Sequence, residues 1–381
     1  MHFGIRWKGT GTPVLFLFLS GAISMLYAQD ISSEKILFAA GDSGYACFRI
    51  PAIVSQDGKG LIAFCEGRRT GCSDFGDVDI VMRRSEDAGE TWSPLERVVD
   101  WGELQAGNAA PVWDEFDPMY PNGKLLLFYN TGTASEWDVR SGKGRRQAWF
   151  VSSVDGGRSW TTPQNITHFI HFDSWSVDPE RDERTLAFTP GHAIQLKKGP
   201  FAGRLYVAAN HSIGEPQEAF EDYRSFGIFS DDHGRTWSRS ADVPVPASNE
   251  AMAVETTNGS LELNIRMQDG RIRRRLIAAS SDGGATWDTT YYEGALVSPV
   301  CQASILNTGA AGMVFSGPND EEERINLALW RNKGDGWGAP ELVHAGFAAY
   351  SDLVQLETGA IGVLFEAENY NQIRFQRVPL D

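Results

Sequence analysis

The residues with the clearest chemical potential stand in one stretch, 45–92, reading YACFRIPAIVSQDGKGLIAFCEGRRTGCSDFGDVDIVMRRSEDAGETW. It presents Arg49, Arg68 and Asp74 around strand-like runs. Two arginines and an acid begin a site for an anion, because a guanidinium grips a carboxylate through two parallel N–H donors. Two further arginines bound apolar runs far downstream: Arg266 follows LELNI, and Arg324 precedes INLALW. A single arginine at a strand end ordinarily snorkels to solvent. Three of them, Arg49, Arg266 and Arg324, in separate parts of the chain argue for convergence on one carboxylate.

Such convergence needs a scaffold, and the sequence carries a repeat. The octad S-x-D-x-G-x-[ST]-W occurs as Ser85–Trp92, Ser153–Trp160, Ser230–Trp237 and Ser280–Trp287, with a decayed copy at Trp330–Trp337. Its Asp and Gly favour a tight turn in which the carboxylate accepts backbone N–H groups. Its Trp folds back as an apolar plug. An apolar run precedes each copy (DVDIVMRR, RRQAWFVS, SFGIFS, RRRLIAAS), so each octad reads as a strand–turn–strand hairpin. Identical units around a repeat are scaffold, whereas active sites are singular. The octad aspartates therefore belong to outer turns rather than to catalysis or calcium binding. The runs KLLLFYNTG (124–132), RLYVAANHS (204–212), SLELNIRM (260–267), AGMVFSG (311–317) and AIGVLFEAE (360–368) are read as inner strands. The pattern predicts an all-β fold, a six-bladed β-propeller over residues 29–381 in one domain. Lys35–Ala39 should close it against Gln372–Val378, and Arg49, Arg266 and Arg324 should mark inner-strand ends in three blades.

Residues 1–28 run from Arg6 and Lys8 through the apolar Val14–Leu19 to Ala28, the order of a secretory signal peptide. Losing that segment's two cations takes the formal charge from −16 to −18. So acidic a chain is not expected to bind nucleic acid, whose phosphates need a basic surface. No other run is long and apolar enough to span a bilayer. The expectation is a soluble monomer, secreted or periplasmic. The four cysteines, Cys47, Cys65, Cys72 and Cys301, leave their pairing open. Neither C-x-x-C nor H-E-x-x-H occurs, so no metal site is expected, and no cofactor.

FRIPAIV, the downstream EGRRTGCSDFGD and four octads together resemble the exo-α-sialidases (neuraminidases), six-bladed propellers whose octads are called Asp boxes. The likeness covers essentially the whole mature chain and is of the bacterial secreted type. It implies that Arg49, Arg266 and Arg324 hold a substrate carboxylate, and that Arg68 lies near the sugar's C4 substituent. It gives Asp74 the acid/base role, Tyr350 in AAYSDLVQL that of nucleophile and Glu250 in SNEAMAVE that of activating the tyrosine. Glu366 in VLFEAE would orient Arg49, and Asn108 in GNAAPVWD falls near the N-acetyl side. His192 in TPGHAIQL is read as a satisfied structural histidine. The implied partner is a sialylated glycan, hydrolysed with retention and without a cofactor. Sialic acid carries a carboxylate on its anomeric carbon, which repels an anionic nucleophile; a neutral tyrosine avoids that repulsion. A phenol is weak near neutral pH and needs a base in hydrogen-bond reach. The role implied for Asp74 asks for a carboxyl raised by desolvation, and Phe75 and Cys72 stand beside it. Other readings use the same residues: a hydrolase of a related acid sugar (a deaminated nonulosonic acid or Kdo), a trans-sialidase, or a silent sialoglycan-binding propeller. The last has no use for Asp74, Glu250 and Tyr350 together.

Overall fold

The strands group into six blades of antiparallel ladders in a computed structural model that describes residues 34–171, 182–357 and 359–380. The leader expected at 1–28 lies outside the described residues. Blade 1 runs outward through Cys47–Ser55, Leu61–Arg68, Val78–Ser85 and Glu96–Val99, and the later blades repeat that order. Their inner strands are Gln105–Asp114, Glu183–Phe188 continued by Ile194–Gln195, Ser248–Glu255, and Ser304–Asn307. One long strand, Glu341–Gln355, serves two blades: its first part is the outer strand of blade 5, its second part the inner strand of blade 6.

The ring closes as the sequence led us to expect, with Lys35–Ala39 pairing with Gln372–Pro379 as the outer strand of blade 6. Six hydrophobic clusters each fill the space between two neighbouring blades, one of them between blades 6 and 1. At that last seam the Glu357 N–H donates to the Gly58 carbonyl. Gly58 has φ 76°, and a Cβ there would lie 2.4 Å from the Glu357 nitrogen, so only glycine fits.

One expectation needs correcting. The five apolar runs read as inner strands are the second strands of blades 2 to 6. A second strand is paired on both edges and covered on both faces, so it is the most apolar; the inner strands carry polar residues and are interrupted. Of the three arginines only Arg49 lies on an inner strand. Arg266 ends a second strand, and Arg324 immediately precedes a third strand.

The Asp boxes join third and outer strands, at the blade end opposite Arg49 and Arg68. In the first, Asp87 accepts from the Thr91 N–H (2.8 Å) and hydroxyl (2.6 Å), while the Ser85 hydroxyl accepts from Gly89 N–H. The same bonds recur at Asp155, Asp232 and Asp282. Each box tryptophan reaches back to the preceding blade: Trp92 to Phe375, Trp160 to Phe64, Trp237 to Phe128, and Trp287 to the Ala241 carbonyl. In the decayed copy Asn332 takes over the turn, accepting from Gly334 N–H.

Burial opposes ionisation of Asp87, but the donors from Thr91 and Ser85 hold its carboxyl at about 2, and Asp155, Asp232 and Asp282 are also lowered. These folded values lie below the unfolded value of about 3.9. The boxes' electrostatic contribution is therefore complete above that value and fades as pH falls through the folded values. The midpoint of urea unfolding should drop between about pH 4 and 2. Changing Asp87, Asp232 and Asp282 to Asn should flatten that drop; an unchanged slope removes the boxes as its source.

Candidate active site

The inner strands share a local feature that builds the site. In blades 1, 2, 3, 4 and 6 one extra residue is inserted near the strand start: between Arg49 and Ala52, Gly107 and Ala110, Glu183 and Leu186, Ser248 and Ala251, Ala348 and Ser351. Such a bulge turns a side chain out of the strand's alternation and leaves a backbone N–H unpaired. Ile50 and Asn108 take positive φ there, 63° and 57°. The bulges of blades 1, 2, 4 and 6 present Arg49, Asn108, Glu250 and Tyr350 at one end of the ring.

Glu366, fully buried on the second strand of blade 6, faces the bulge at Tyr350. Its carboxylate accepts from Arg49 Nε (2.9 Å) and Nη2 (3.1 Å), from Ile50 N–H (2.9 Å) and from Tyr350 N–H (3.2 Å). One buried acid thus pins two bulges and one guanidinium, the full satisfaction that a buried charge needs. Glu66 does the same one blade on. It accepts from Arg68 Nε (2.9 Å) and Nη2 (2.6 Å), and from the Asn108 N–H (2.9 Å). Sequence reasoning passed over Glu66, although it stands two residues before Arg68 and so on the same strand face.

Tyr350 is at the centre. Its hydroxyl donates to Glu250 Oε1 at 2.7 Å and accepts from Arg266 Nη1 at 2.8 Å. Arg266 also pairs with Glu250 and donates to Gln268 Oε1 at 2.5 Å. The guanidinium carbons of Arg49 and Arg324 lie 5.2 and 5.4 Å from the Tyr350 ring centre. Arg324 donates to the Tyr370 hydroxyl (3.0 Å) and the Val300 carbonyl (2.8 Å), and meets no carboxylate among the described residues. Tyr370, which no sequence pattern marked, lies under Arg49 with its ring centre 4.2 Å from the guanidinium carbon. Burial and then Glu250 push the Tyr350 phenol well above its usual value, against the pull of Arg266, Arg324 and Arg49. The phenol is neutral at neutral pH, with a carboxylate in place to take its proton.

Asp74 corrects an expectation. It lies on the loop between the second and third strands of blade 1, with its side chain 75 % exposed. Its Oδ1 accepts from Arg68 Nη1 at 2.8 Å and from Arg49 Nη1 at 3.5 Å. Desolvation would raise its carboxyl, but Arg68 and Arg49 prevail and hold it below the ordinary aspartate value. The expected rise is absent because the combined attraction of the arginines outweighs the desolvation. Asp74 holds a proton readily only when another anion takes up the charge of those arginines.

Asn108 is half-buried and its Nδ2 donates to the Phe188 carbonyl (2.9 Å), so part of its amide serves the scaffold. His192 is satisfied, as its sequence context led us to expect. Its Nδ1 lies 2.7 Å from Asp352 Oδ1, and its N–H donates to the same carboxylate. Asp352 also accepts from Ile53 N–H and the Ser304 hydroxyl, tying four blades together below the site. Among the described residues two three-residue groups bring potential metal ligands together, His171 with Glu183 and His211, and Asp114 with Asp117 and His233. In each, a cation already meets a carboxylate: Arg239 at Glu183 (2.6 Å) and Lys124 at Asp117 (2.8 Å). The cysteines resolve as one disulfide, Cys47–Cys72, with Cys65 and Cys301 free and buried.

The sequence matches the family of BNR repeat-like domains over residues 59–363. It is similar to a sialidase of Micromonospora viridifaciens, 30% identical over 89% of this chain and 52% of that protein. It is also similar to Sialidase-2 of Cricetulus griseus, 26% identical over 91% of this chain and 94% of that protein. It thus spans about half the length of the first relative and nearly all of the second. Among solved structures it is similar to the Hadza microbial sialidase Hz136, at a TM-score of 0.77 and 25% identity over 91% of this chain and 68% of that one.

Proposed function

Because the chain belongs to the family of BNR repeat-like domains, and its relatives in that fold are named sialidases, we propose that it is a retaining exo-α-sialidase. One observation carries the reading: a neutral phenol, hydrogen-bonded to a carboxylate, stands among three guanidinium groups from three blades. Arg49, Arg266 and Arg324 bind the sugar carboxylate and fix the anomeric carbon over Tyr350. Tyr350 attacks as Glu250 Oε1 takes its proton, forming a glycosyl–tyrosine intermediate. The substrate carboxylate meanwhile relieves Asp74 of the charge of Arg49 and Arg324, Arg68 being paired with Glu66. Asp74 can then carry the proton that the leaving oxygen takes, and later accept one from the attacking water. Glu366 and Glu66 hold Arg49 and Arg68 in place, Arg68 flanks the ring, and Asn108 lies on the C5 side.

The terminal sugar of a sialylated glycan is the proposed substrate, met outside the cytoplasm if residues 1–28 act as a leader. No helix among the described residues is long and apolar enough to cross a membrane. The arginines read a carboxylate and nothing more of the sugar, so the test must vary the rest. Incubation with α2,3- and α2,6-sialyllactose and a deaminated analogue, followed by NMR, should show free sialic acid appearing first as the α-anomer. Initial β-anomer contradicts retention. Release of no sugar from any of them by folded protein overturns the hydrolase reading.

A further inference from the structure

The carboxylate given the proton-transfer role is the least supported group of the site. No residue of the loop 70–77 is buried, and a Cβ added at Gly71 would meet nothing within 4 Å. A carboxylate there cannot be positioned by packing. The loop is held by the Cys47–Cys72 disulfide and by Arg68, whose Nη1 donates both to the Cys72 carbonyl (2.6 Å) and to Asp74 Oδ1 (2.8 Å). A longer contact runs from Arg49 Nη1 to Asp74 Oδ1 (3.5 Å), and the Arg69 N–H donates to the Asp77 carbonyl (3.1 Å) at the loop's base. The spacing is the same at both ends of the bridge: Cys47 stands two residues before Arg49, and Cys72 two residues before Asp74. Cys47 is fully buried on the inner strand of blade 1. The bridge therefore fastens the exposed loop to the strand that carries the carboxylate-binding arginine.

We infer that Cys47 and Cys72 are positioning residues for proton transfer: their disulfide fixes Asp74 relative to Arg49, and its loss disables departure of poor leaving groups. This rests on the proposed role of Asp74. The remaining groups, Tyr350, Glu250 and the three arginines, sit on strands or at their ends and do not depend on the bridge. Sugar binding and attack by the phenol should survive its removal. A nitrophenol leaves unaided, whereas the sugar alkoxide of sialyllactose needs a proton as the bond breaks. A displacement of about 1 Å can lower turnover about 10²-fold.

The test compares sialyllactose with 4-nitrophenyl sialoside in the full chain and in the variant Cys47→Ser/Cys72→Ser. The variant's kcat/KM on sialyllactose should fall about 10²-fold, with kcat/KM on the aryl sialoside within about threefold. That ratio covers only the steps up to the glycosyl–tyrosine intermediate, where the sugar alkoxide alone needs the proton. Asp74→Ala should show the same split, and adding the two serines to it should lower sialyllactose turnover little further. A second route avoids mutation. Dithiothreitol gives two electrons and two protons to the bridge, leaves two thiols and becomes its own cyclic disulfide; the reduced protein, its thiols counted by alkylation, should show the same split. Equal losses on both substrates, or none, in protein confirmed without the bridge overturn the inference. If the wild type releases sugar from neither substrate, the proposed function falls and takes the inference with it; if it turns over both and the split is absent, only the inference falls.

Discussion

Tyr350→Phe is expected to leave a folded protein that binds the acid sugar and barely turns it over, with kcat lower by on the order of 10³-fold or more. Only the hydroxyl is removed, and its two partners are charged groups of opposite sign, Glu250 Oε1 and Arg266 Nη1. Arg266 and Glu250 already contact each other directly, so neither is left alone in the site. The ring remains to pack against Arg49 and Arg324, and the carboxylate-binding groups stay where they are. Binding of a sialic acid analogue measured by calorimetry should therefore change little while turnover collapses. Full activity in this variant would remove Tyr350 as the nucleophile and redirect attention to water activated by Glu250.

Glu366→Ala should have the largest effect on stability, about 3–5 kcal/mol by urea unfolding, the usual result of stranding one partner of a buried ion pair. The Arg49 guanidinium would lose both of its close carboxylate contacts, and the Ile50 and Tyr350 N–H groups would each lose an acceptor. Two bulges would be released together, one bearing the first arginine and the other the tyrosine. Affinity for carboxylate ligands should fall with stability, because Arg49 would no longer be held in one rotamer. A loss below about 1 kcal/mol, the size of an ordinary hydrogen bond, would mean that solvent or a shifted strand replaces the carboxylate.

The scaffold was legible because it is repeated. Four Asp boxes mark four outer turns, and a radial repeat must close, which was enough to pair Lys35–Ala39 with the C-terminal strand. The arginines and Tyr350 were legible through the likeness of their flanking motifs. Strand rank was not: KLLLFYNTG and SLELNIRM are more apolar than the inner strands QAGNAAPVWD and SNEAMAVE, so hydrophobicity pointed to the wrong layer. Supporting groups were hidden for a different reason. Glu66, Tyr370 and Asp352 act across blade boundaries, and no local pattern records which residue of one blade meets a bulge of the next. Cysteine pairing has the same character, since four cysteines allow several connectivities and only the folded loop brings Cys72 to Cys47. The ionisation of Asp74 was not legible because sequence neighbours such as Phe75 and Cys72 say nothing of Arg68 and Arg49, which meet its carboxylate in the fold.

The inserted residue in the inner strands of blades 1, 2, 4 and 6 also acts as a parity switch. Below it, alternate side chains must keep facing the inter-blade clusters; above it, they must face the reaction. A strand with strict alternation could not satisfy both demands independently, because any shift made for one would invert the other. One extra residue decouples them, so the mouth of the ring can accept new chemistry while the wall beneath is left alone. By the same logic a deletion within Ile50–Pro51 or Ala349–Tyr350 is far graver than a substitution there. It would turn one section of an inner strand inside out, and the fold would have to choose between its core and its site.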